Sequence, residues 1–127
     1  MSFSQAAQSI RERFSAEWSR TPIAYPNAPF EKTSGPWIRV TVRGRGAEQV
    51  ATVSKRLRHE GAVLVQVFTP EGQGDGEALS IADDVAALLE AQTIDGIRFY
   101  AATRRPEGVD ENGWYMVIVS IPFECDA

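Results

Sequence analysis

The sequence has few of the residues from which metal centres, disulfides and catalytic relays are built. Cys125 is the only cysteine and His59 is the only histidine, which excludes an internal disulfide and a zinc site of the usual four-ligand kind. A Ser-His-Asp relay would need His59, whose basic and acidic neighbours favour a surface histidine. The sequence therefore predicts no catalytic residue, no metal ligand and no cofactor site.

Long apolar runs are also missing. No segment approaches the roughly 20 residues that a membrane-spanning helix needs, and the polar N-terminus does not resemble a secretory signal. We therefore expect a protein that is made in the cytoplasm and does not enter a membrane. With 127 residues, of which 43% are hydrophobic and 24% charged, the chain has the size and balance of one globular domain, residues 1–127.

Charge is unevenly distributed along the chain, although the net charge is only −4. Residues 32–58 contain seven bases and one acid, whereas residues 60–95 contain eight acids and no Lys or Arg. Two solvated faces would explain this pattern, and so would a head-to-tail subunit whose basic surface meets the acidic surface of a neighbour. The candidate interface residues are Arg39, Arg43, Arg45, Arg56 and Arg58.

Hydrophobic periodicity predicts two helices and four main strands. Apolar residues recur every three or four positions over Phe3–Ser19 and Glu77–Gln92, as in amphipathic helices. Alternation or β-branched runs predict strands at Trp37–Arg43, Ala62–Thr69, Ile97–Ala102 and Trp114–Glu124. The nearly continuous apolar character of Ala62–Thr69 predicts a central strand covered on both faces.

Turn signals complete the prediction. Gly44-Arg45-Gly46 predicts a turn, with Glu48–Val53 as the hairpin partner of the preceding strand, and Lys55–Glu60 is a basic loop or the start of a strand. Asp95-Gly96 predicts a tight turn and Arg104–Gly113 a polar loop. The predicted fold is a single α+β domain with a mixed, mainly antiparallel sheet and both helices packed on one face.

The segment Thr21–Phe30 holds three prolines among apolar side chains. Each proline lacks a donor and favours extended backbone before it, which excludes a helix or a central strand. We expect an edge segment, with a short strand near Ile23–Tyr25, that docks on its own sheet or on another subunit. For Tyr25 and Phe30 we expect the chain's own sheet.

Two binding motifs were weighed. The loop Glu71–Gly76 precedes a helix, but it lacks the lysine of a phosphate loop, and Glu71, Asp75 and Glu77 would repel a phosphate. We interpret it as a mobile loop in which Asp75 caps the helix. The bases near Arg56 lack interleaved aromatics for base stacking, so specific nucleic-acid binding is not supported.

Three blocks of sequence carry a family resemblance. The first joins the proline-rich segment to Gly35-Pro36-Trp37-Ile38-Arg39-Val40, the second joins Val65-Gln66-Val67-Phe68-Thr69-Pro70 to Gly72–Ala82, and the third runs from Gly113-Trp114-Tyr115 to Pro122-Phe123. In this order and spacing they resemble the tail-terminator-like proteins of long-tailed bacteriophages and prophages. The similarity covers almost the whole chain after the first helix.

The resemblance implies a structural protein that assembles into a hexameric ring. Such a ring stacks on the last ring of tail-tube protein, stops tube growth and offers a surface to the head-side connector protein. The implied partners are other copies of the chain, the tube protein and the connector, while DNA passes without specific binding and no membrane is involved. The implied location is the virion tail, after assembly in the host cytoplasm. The family shares no catalytic residues, so none is transferred.

Within this interpretation the strand Trp37–Arg43 is the candidate contact between subunits. The loop with Glu71, Asp75 and Glu77 is the candidate lumen or docking loop, where carboxylates would keep DNA from adhering. Two other classes remain open. One is a head–tail connector or neck completion protein, and the other is a nucleic-acid or small-molecule binding module, which would need a basic groove or a polar pocket.

Overall fold

The computed structural model describes residues 1–31, 34–51 and 56–126, with backbone only for residues 48–51 and 56. In chain order the elements are α1 (Phe3–Glu17), β1 (Ile23–Ala24), β2 (Trp37–Ala51), β3 (Arg56–Pro70), α2 (Gly76–Leu89), β4 (Thr93–Ile94), β5 (Ile97–Phe99), β6 (Thr103–Val109) and β7 (Trp114–Asp126).

The sheet is built around β3 and β7, which pair antiparallel from Arg58 opposite Asp126 to Pro70 opposite Trp114. The strand β2 pairs antiparallel with the other edge of β3, and β1 adds the one parallel pairing observed among the described residues. Both β5 and β6 pair with the free edge of β7, one after the other, and β4 pairs with β5. The predicted mixed, mainly antiparallel α+β fold is confirmed.

Both helices cover the same face of this sheet. Their apolar stripes meet the alternate buried residues of β2, β3 and β7 in one cluster, among them Ile10, Phe14, Ile81, Val85, Val65 and Val119. Because successive strand residues point to opposite faces, this packing leaves the other face of the sheet without a helix. The prediction that both helices lie on one face is correct.

The two helices begin differently. Ser2 forms a capping box with Gln5, in which the Ser2 hydroxyl accepts from Gln5 N at 3.2 Å and Gln5 Oε1 accepts from Ser2 N at 2.8 Å. Asp75 stands at the N-cap position of α2, and its carbonyl oxygen accepts from Leu79 N at 2.9 Å. Its side chain makes no capping bond, so the predicted cap is wrong: Asp75 has αR backbone rather than the extended conformation of a capping residue.

The predicted turn at Gly44-Arg45-Gly46 is wrong. The strand β2 continues through it as a bulge, since the pairing shifts between Gly44 opposite Gly61 and Gly46 opposite Glu60. Gly46 has φ +146°, which a glycine adopts without strain, so the chain bends instead of reversing. The real partner of β2 is β3. Of the predicted partner Glu48–Val53, residues 52 and 53 lie outside the described residues.

Other boundaries also differ from the prediction. The segment Lys55–Glu60 is predicted to be a basic loop or the start of a strand, and residues 56–60 do start β3. Lys55 lies outside the described residues. The predicted polar loop Arg104–Gly113 is mostly the strand β6, because pairing with β7 organises a charged segment that has no apolar alternation. The predicted turn at Asp95-Gly96 joins β4 to β5, with φ of 52° and 80°. The strand predicted over Ile97–Ala102 ends at Phe99.

Candidate assembly surface

The helix-free face of the sheet is closed at one end by a small aromatic cluster. The ring of Trp37 stacks on Phe68 with centroids 4.1 Å apart, meets Trp114 edge-on at 6.1 Å and contacts Phe30 at 5.0 Å. Trp37 and Phe68 are buried, with Phe30, Trp114 and Met116 packed around them. Trp37 and Phe68 are therefore covered and are not available to stack nucleic-acid bases.

The proline-rich segment is what covers this end of the sheet. Its strand β1 pairs with β2, Phe30 packs on Trp37, and Tyr25 packs against the main core. The Tyr25 hydroxyl lies 3.0 Å from Ser15 Oγ and donates to the carbonyl oxygen of Arg11 at 3.4 Å. Phe30 packs on its own sheet, as expected, whereas the Tyr25 hydroxyl contacts α1. The segment is therefore a docking element within the chain.

Arg39 borders the aromatic cluster. Its guanidinium carbon lies 5.3 Å from the Trp37 ring centroid and 5.6 Å from that of Phe68, and its Nη1 donates to Gln66 Oε1 at 3.4 Å. These contacts place the cation over two ring faces, which is favourable electrostatically. Arg39 therefore holds the local packing together, in addition to lying next to the open part of the face.

Beyond Arg39 the face is an open depression. Two adjoining hollows of about 190 and 420 Å³ share Leu64, Arg105 and Ile118. We call this surface the trough and define it by six lining residues, Thr41, Arg43, Leu64, Arg105, Ile118 and Ser120. Leu64 and Ile118 are half-buried, because α1 and α2 both lie on the other face.

The trough corrects two sequence-based expectations. The strand predicted at Ala62–Thr69 is covered on both faces only near Phe68, since Leu64 and Gln66 are half-buried. The sequence predicts a loop at Arg105, whereas the structure places Arg105 on β6, opposite Ile118 of β7. The alternation of β7 did place Trp114, Met116 and Ile118 on one face, and this signal points to the trough when it is combined with the sheet order.

The predicted interface arginines divide into two groups. Arg43 and Arg45 are exposed and form no ion pair with another described residue. Arg58, in contrast, lies 3.0 Å from Asp126 Oδ1 and 3.9 Å from Glu124 Oε2, in a cluster at the end of β7. The charge of Arg58 is thus balanced within the chain. The side chain of Arg56 lies outside the described residues.

The acidic residues of segment 60–95 also divide into a paired and an unpaired group. Arg104 Nε lies 2.9 Å from Asp83 Oδ1 and its Nη2 lies 3.7 Å from Glu90 Oε2, while Arg20 Nη1 lies 2.6 Å from Asp84 Oδ2. Two carboxylates of α2 and that of Glu90, the residue after the helix, are therefore paired inside the chain. Across the part of the chain that the structure describes, Glu71, Asp75 and Glu77 are exposed and make no ion pair.

The two unpaired charge groups lie at opposite ends of the sheet. Arg43 is opposite Ala62 on β3, and the acidic loop, Glu71–Glu77, follows Pro70 at the other end of that strand. From position 62 to position 70 the strand spans roughly 27 Å at about 3.4 Å per residue. The loop then leads into α2 on the helix-covered face. The structure does not bring the candidate residues together; it places them at two poles.

The remaining candidates for chemistry lie in the sheet. His59 is on β3, opposite Ala47 and Cys125, in the segment for which a strand start is one of the two predicted alternatives. Cys125 is buried, and burial raises the pKa of its thiol; the N-terminal charge lowers this pKa and Asp126 raises it. Within the described ranges no group of three or more His, Cys, Asp or Glu is placed to hold a metal ion. None of the helices described is long and apolar enough to cross a membrane.

Comparisons with known proteins identify the family. Residues 5–123 match the family described as phage tail terminator protein. A search of curated proteins found no match. Among solved structures, one chain has a TM-score of 0.72 at 20% identity and covers 98% of this chain and 96% of its own length, which shows a shared fold. Since the family match spans nearly all of the 127 residues, this chain belongs to the phage tail terminator protein family and is a structural protein of a phage tail.

Proposed function

We propose that copies of this chain assemble into a hexameric ring that caps the phage tail tube. The ring stops tube growth and presents a surface to the head-side connector, and the protein performs no catalysis. Family membership over residues 5–123 is the observation that carries the proposal. The virion tail is the site of action, and the subunits assemble there from the host cytoplasm.

A ring needs a heterologous contact, in which two different surfaces of the subunit meet. The unpaired charges support such a contact, since Arg43 and Arg45 lie at one pole and Glu71, Asp75 and Glu77 at the other. Like poles repel and unlike poles attract, so these charges can order neighbouring subunits head to tail, which is the contact that a ring needs. DNA passes through the ring without specific binding, in keeping with the net charge of −4.

Because both charged groups are exposed, their attraction is weak at high salt. An isolated subunit that stays monomeric until it meets a tube is compatible with this function. Solution oligomerisation is therefore a secondary readout, measured by size exclusion with light scattering at low and high salt. The primary readout is the growth of the tube.

The test is capping of polymerising tail-tube protein from the same phage, with tube length measured by electron microscopy. We expect short tubes that carry a ring at one end when the chain is present, and unlimited growth when it is absent. Tubes of equal length with and without the chain would refute the proposal. A connector or neck completion protein would instead bind the head side and leave tube length unchanged.

A pair of variants links capping to the basic pole. Arg43→Glu with Arg45→Glu reverses two exposed charges that have no ion pair among the described residues, and it should abolish capping. Arg11→Glu reverses an exposed arginine on α1 and should cap normally. Circular dichroism of each variant verifies folding. Equal capping by both variants would place the ring contact elsewhere.

A further inference from the structure

We propose that the acidic loop of one copy docks in the trough of the next copy. The inference rests on the proposed ring and specifies which surfaces meet in it. Both surfaces are open in the isolated chain. The charged residues that line the trough are arginines, and those of the loop are carboxylates. The occupant of the trough is thus a second copy of this chain, held through the loop Glu71–Glu77.

The trough has the chemistry of a receptor for a narrow acidic segment. Arg43 and Arg105 stand on its two sides, and Leu64 and Ile118 form an apolar floor between them. The four adjacent strands that carry these residues, β2, β3, β7 and β6, span about 14 Å at roughly 4.8 Å per strand spacing. Arg105 is paired with Glu107 on its own strand, whereas Arg43 has no acidic partner among the described residues.

The loop has the complementary properties. Residues 71–77 are all exposed, and three of them are glycines, so the carboxylates of Glu71, Asp75 and Glu77 project from a thin backbone. Gly72 and Gly74 have φ of +82° and +75°, a conformation that side chains other than glycine rarely adopt. The loop is anchored at its start, where Glu71 N donates to the Gly113 carbonyl oxygen at 3.2 Å.

The loop does not reach the trough of its own chain. It leaves the sheet at Pro70, roughly 20 Å along β3 from Leu64, and it turns toward the face that carries α2. The trough is on the opposite face. Pairing of the two surfaces therefore requires two molecules. Because each copy carries one loop and one trough on different faces, the contact can be repeated from copy to copy and can close a ring.

Nucleic acid is the less suitable occupant. The aromatic side chains next to the trough, Trp37 and Phe68, are buried and stack on each other, so neither ring is available for base stacking. A phosphate backbone would gain nothing from the apolar floor, whereas the stem of a glutamate side chain can pack on Leu64 or Ile118. The loop of a second copy supplies carboxylates for the arginines and side-chain stems that can pack on the apolar floor.

The test reverses charge on each surface separately. One variant carries Arg43→Glu with Arg105→Glu, and the other carries Glu71→Lys with Asp75→Lys. Each variant alone brings like charges together, so we expect capping of tail tubes to need on the order of tenfold more protein, or to be lost. In an equimolar mixture every trough can face a loop of opposite charge in alternating order, and capping should return.

The outcomes separate this inference from the proposed function. If the wild-type chain caps tubes but the mixture does not, or if either variant caps like the wild type, the trough contact is refuted and the ring function stands. Restoration on mixing also proves that both variants fold. If the wild-type chain does not cap tubes, the proposed function is refuted. Cross-linking then tests the contact between loop and trough independently of capping.

Cross-linking uses a cysteine on each surface. A chain with Asp75→Cys is mixed at high concentration with a chain with Ser120→Cys, and dissolved oxygen is the oxidant that accepts the two electrons of the thiols. This mixture should give a disulfide-linked dimer on a non-reducing gel. Glu12→Cys, on the exposed side of α1, replaces Asp75→Cys in the control mixture. The native Cys125 is buried and common to both mixtures. Both mixtures are tested with and without tail tubes, and absence of a dimer above the control level under both conditions would refute docking of the loop in the trough.

Discussion

Gly61 is the position where the sheet leaves no room for a side chain. It is buried on β3, between Gly44 of β2 and Phe123 of β7. A Cβ added there would overlap the carbonyl oxygen of Arg43 and would lie 2.6 Å from Phe123 Cζ. The carbonyl belongs to the β2–β3 ladder, so relief requires a backbone shift. We therefore expect Gly61→Ala to destabilise the fold.

The magnitude follows from two opposing effects. Overpacking of a well-packed site costs about 1–3 kcal/mol, and a clash with backbone belongs at the upper end of that range. Replacing glycine by alanine also restricts the unfolded chain, which offsets about 0.4–1 kcal/mol. The net expectation is a loss of about 2 kcal/mol, or a melting temperature lower by roughly 6–10 °C for a domain of this size.

Gly44→Ala is the matched control, because Gly44 lies directly opposite Gly61 in the same ladder. Its added Cβ would lie 3.4 Å from the Phe3 ring, which is near ordinary contact. We expect unchanged or slightly increased stability. Urea unfolding followed by circular dichroism measures both variants. If Gly61→Ala is as stable as Gly44→Ala, the close approach of the three strands is refuted.

Three further predictions concern stability and reactivity. Ser2→Ala removes the capping box of α1 and should lower the free energy of unfolding in urea by about 1 kcal/mol. The loss should be at least twice that from Asp75→Ala, because the Asp75 side chain makes no capping bond. Equal losses would contradict the cap assignment. Trp37→Ala should cost about 3–5 kcal/mol, whereas Tyr100→Ala, at a side chain 44% exposed, should change the free energy of unfolding by less than about 0.5 kcal/mol. Burial raises the pKa of the Cys125 thiol, so iodoacetamide should alkylate the native chain far more slowly than the urea-unfolded chain. Because the thiol of the unfolded chain ionises at a lower pH than that of the native chain, the free energy of unfolding should fall as the pH rises above about 8.5. Cys125→Ala should remove this contribution to the pH dependence of stability. Rapid alkylation of the native chain would contradict the burial of Cys125.

Much of the fold is readable from local sequence. The apolar stripe of α1, the alternation of β7 and the prolines of Thr21–Phe30 each specify their own element, because helical and strand periods differ and proline restricts its neighbours. The segments that failed have no such local signal. Gly44–Gly46 can turn or bulge with equal ease, and Thr103–Val109 is charged and contains Pro106, as an edge strand does.

The charge pattern predicts which residues are candidates for the assembly surface, but it does not predict which of them are paired within the chain. The unpaired residues Arg43, Arg45, Glu71, Asp75 and Glu77 were all singled out by charge alone. Sequence order could not separate them from Arg58, whose charge is balanced by Asp126 and Glu124. Pairing between residues distant in the chain depends on which strands become neighbours, and a charge pattern does not contain that information.

By itself the sequence determined the fold class, the absence of the usual parts of a catalytic centre, and a family resemblance that the comparisons confirmed. Only the tertiary structure decided which charges remain unpaired and where they lie. The strand β3 places its basic end and the acidic loop at opposite poles, and packing of both helices on one face opens the trough on the other. The physical reason is that periodicity acts over neighbouring residues, whereas pairing and covering are properties of the assembled sheet.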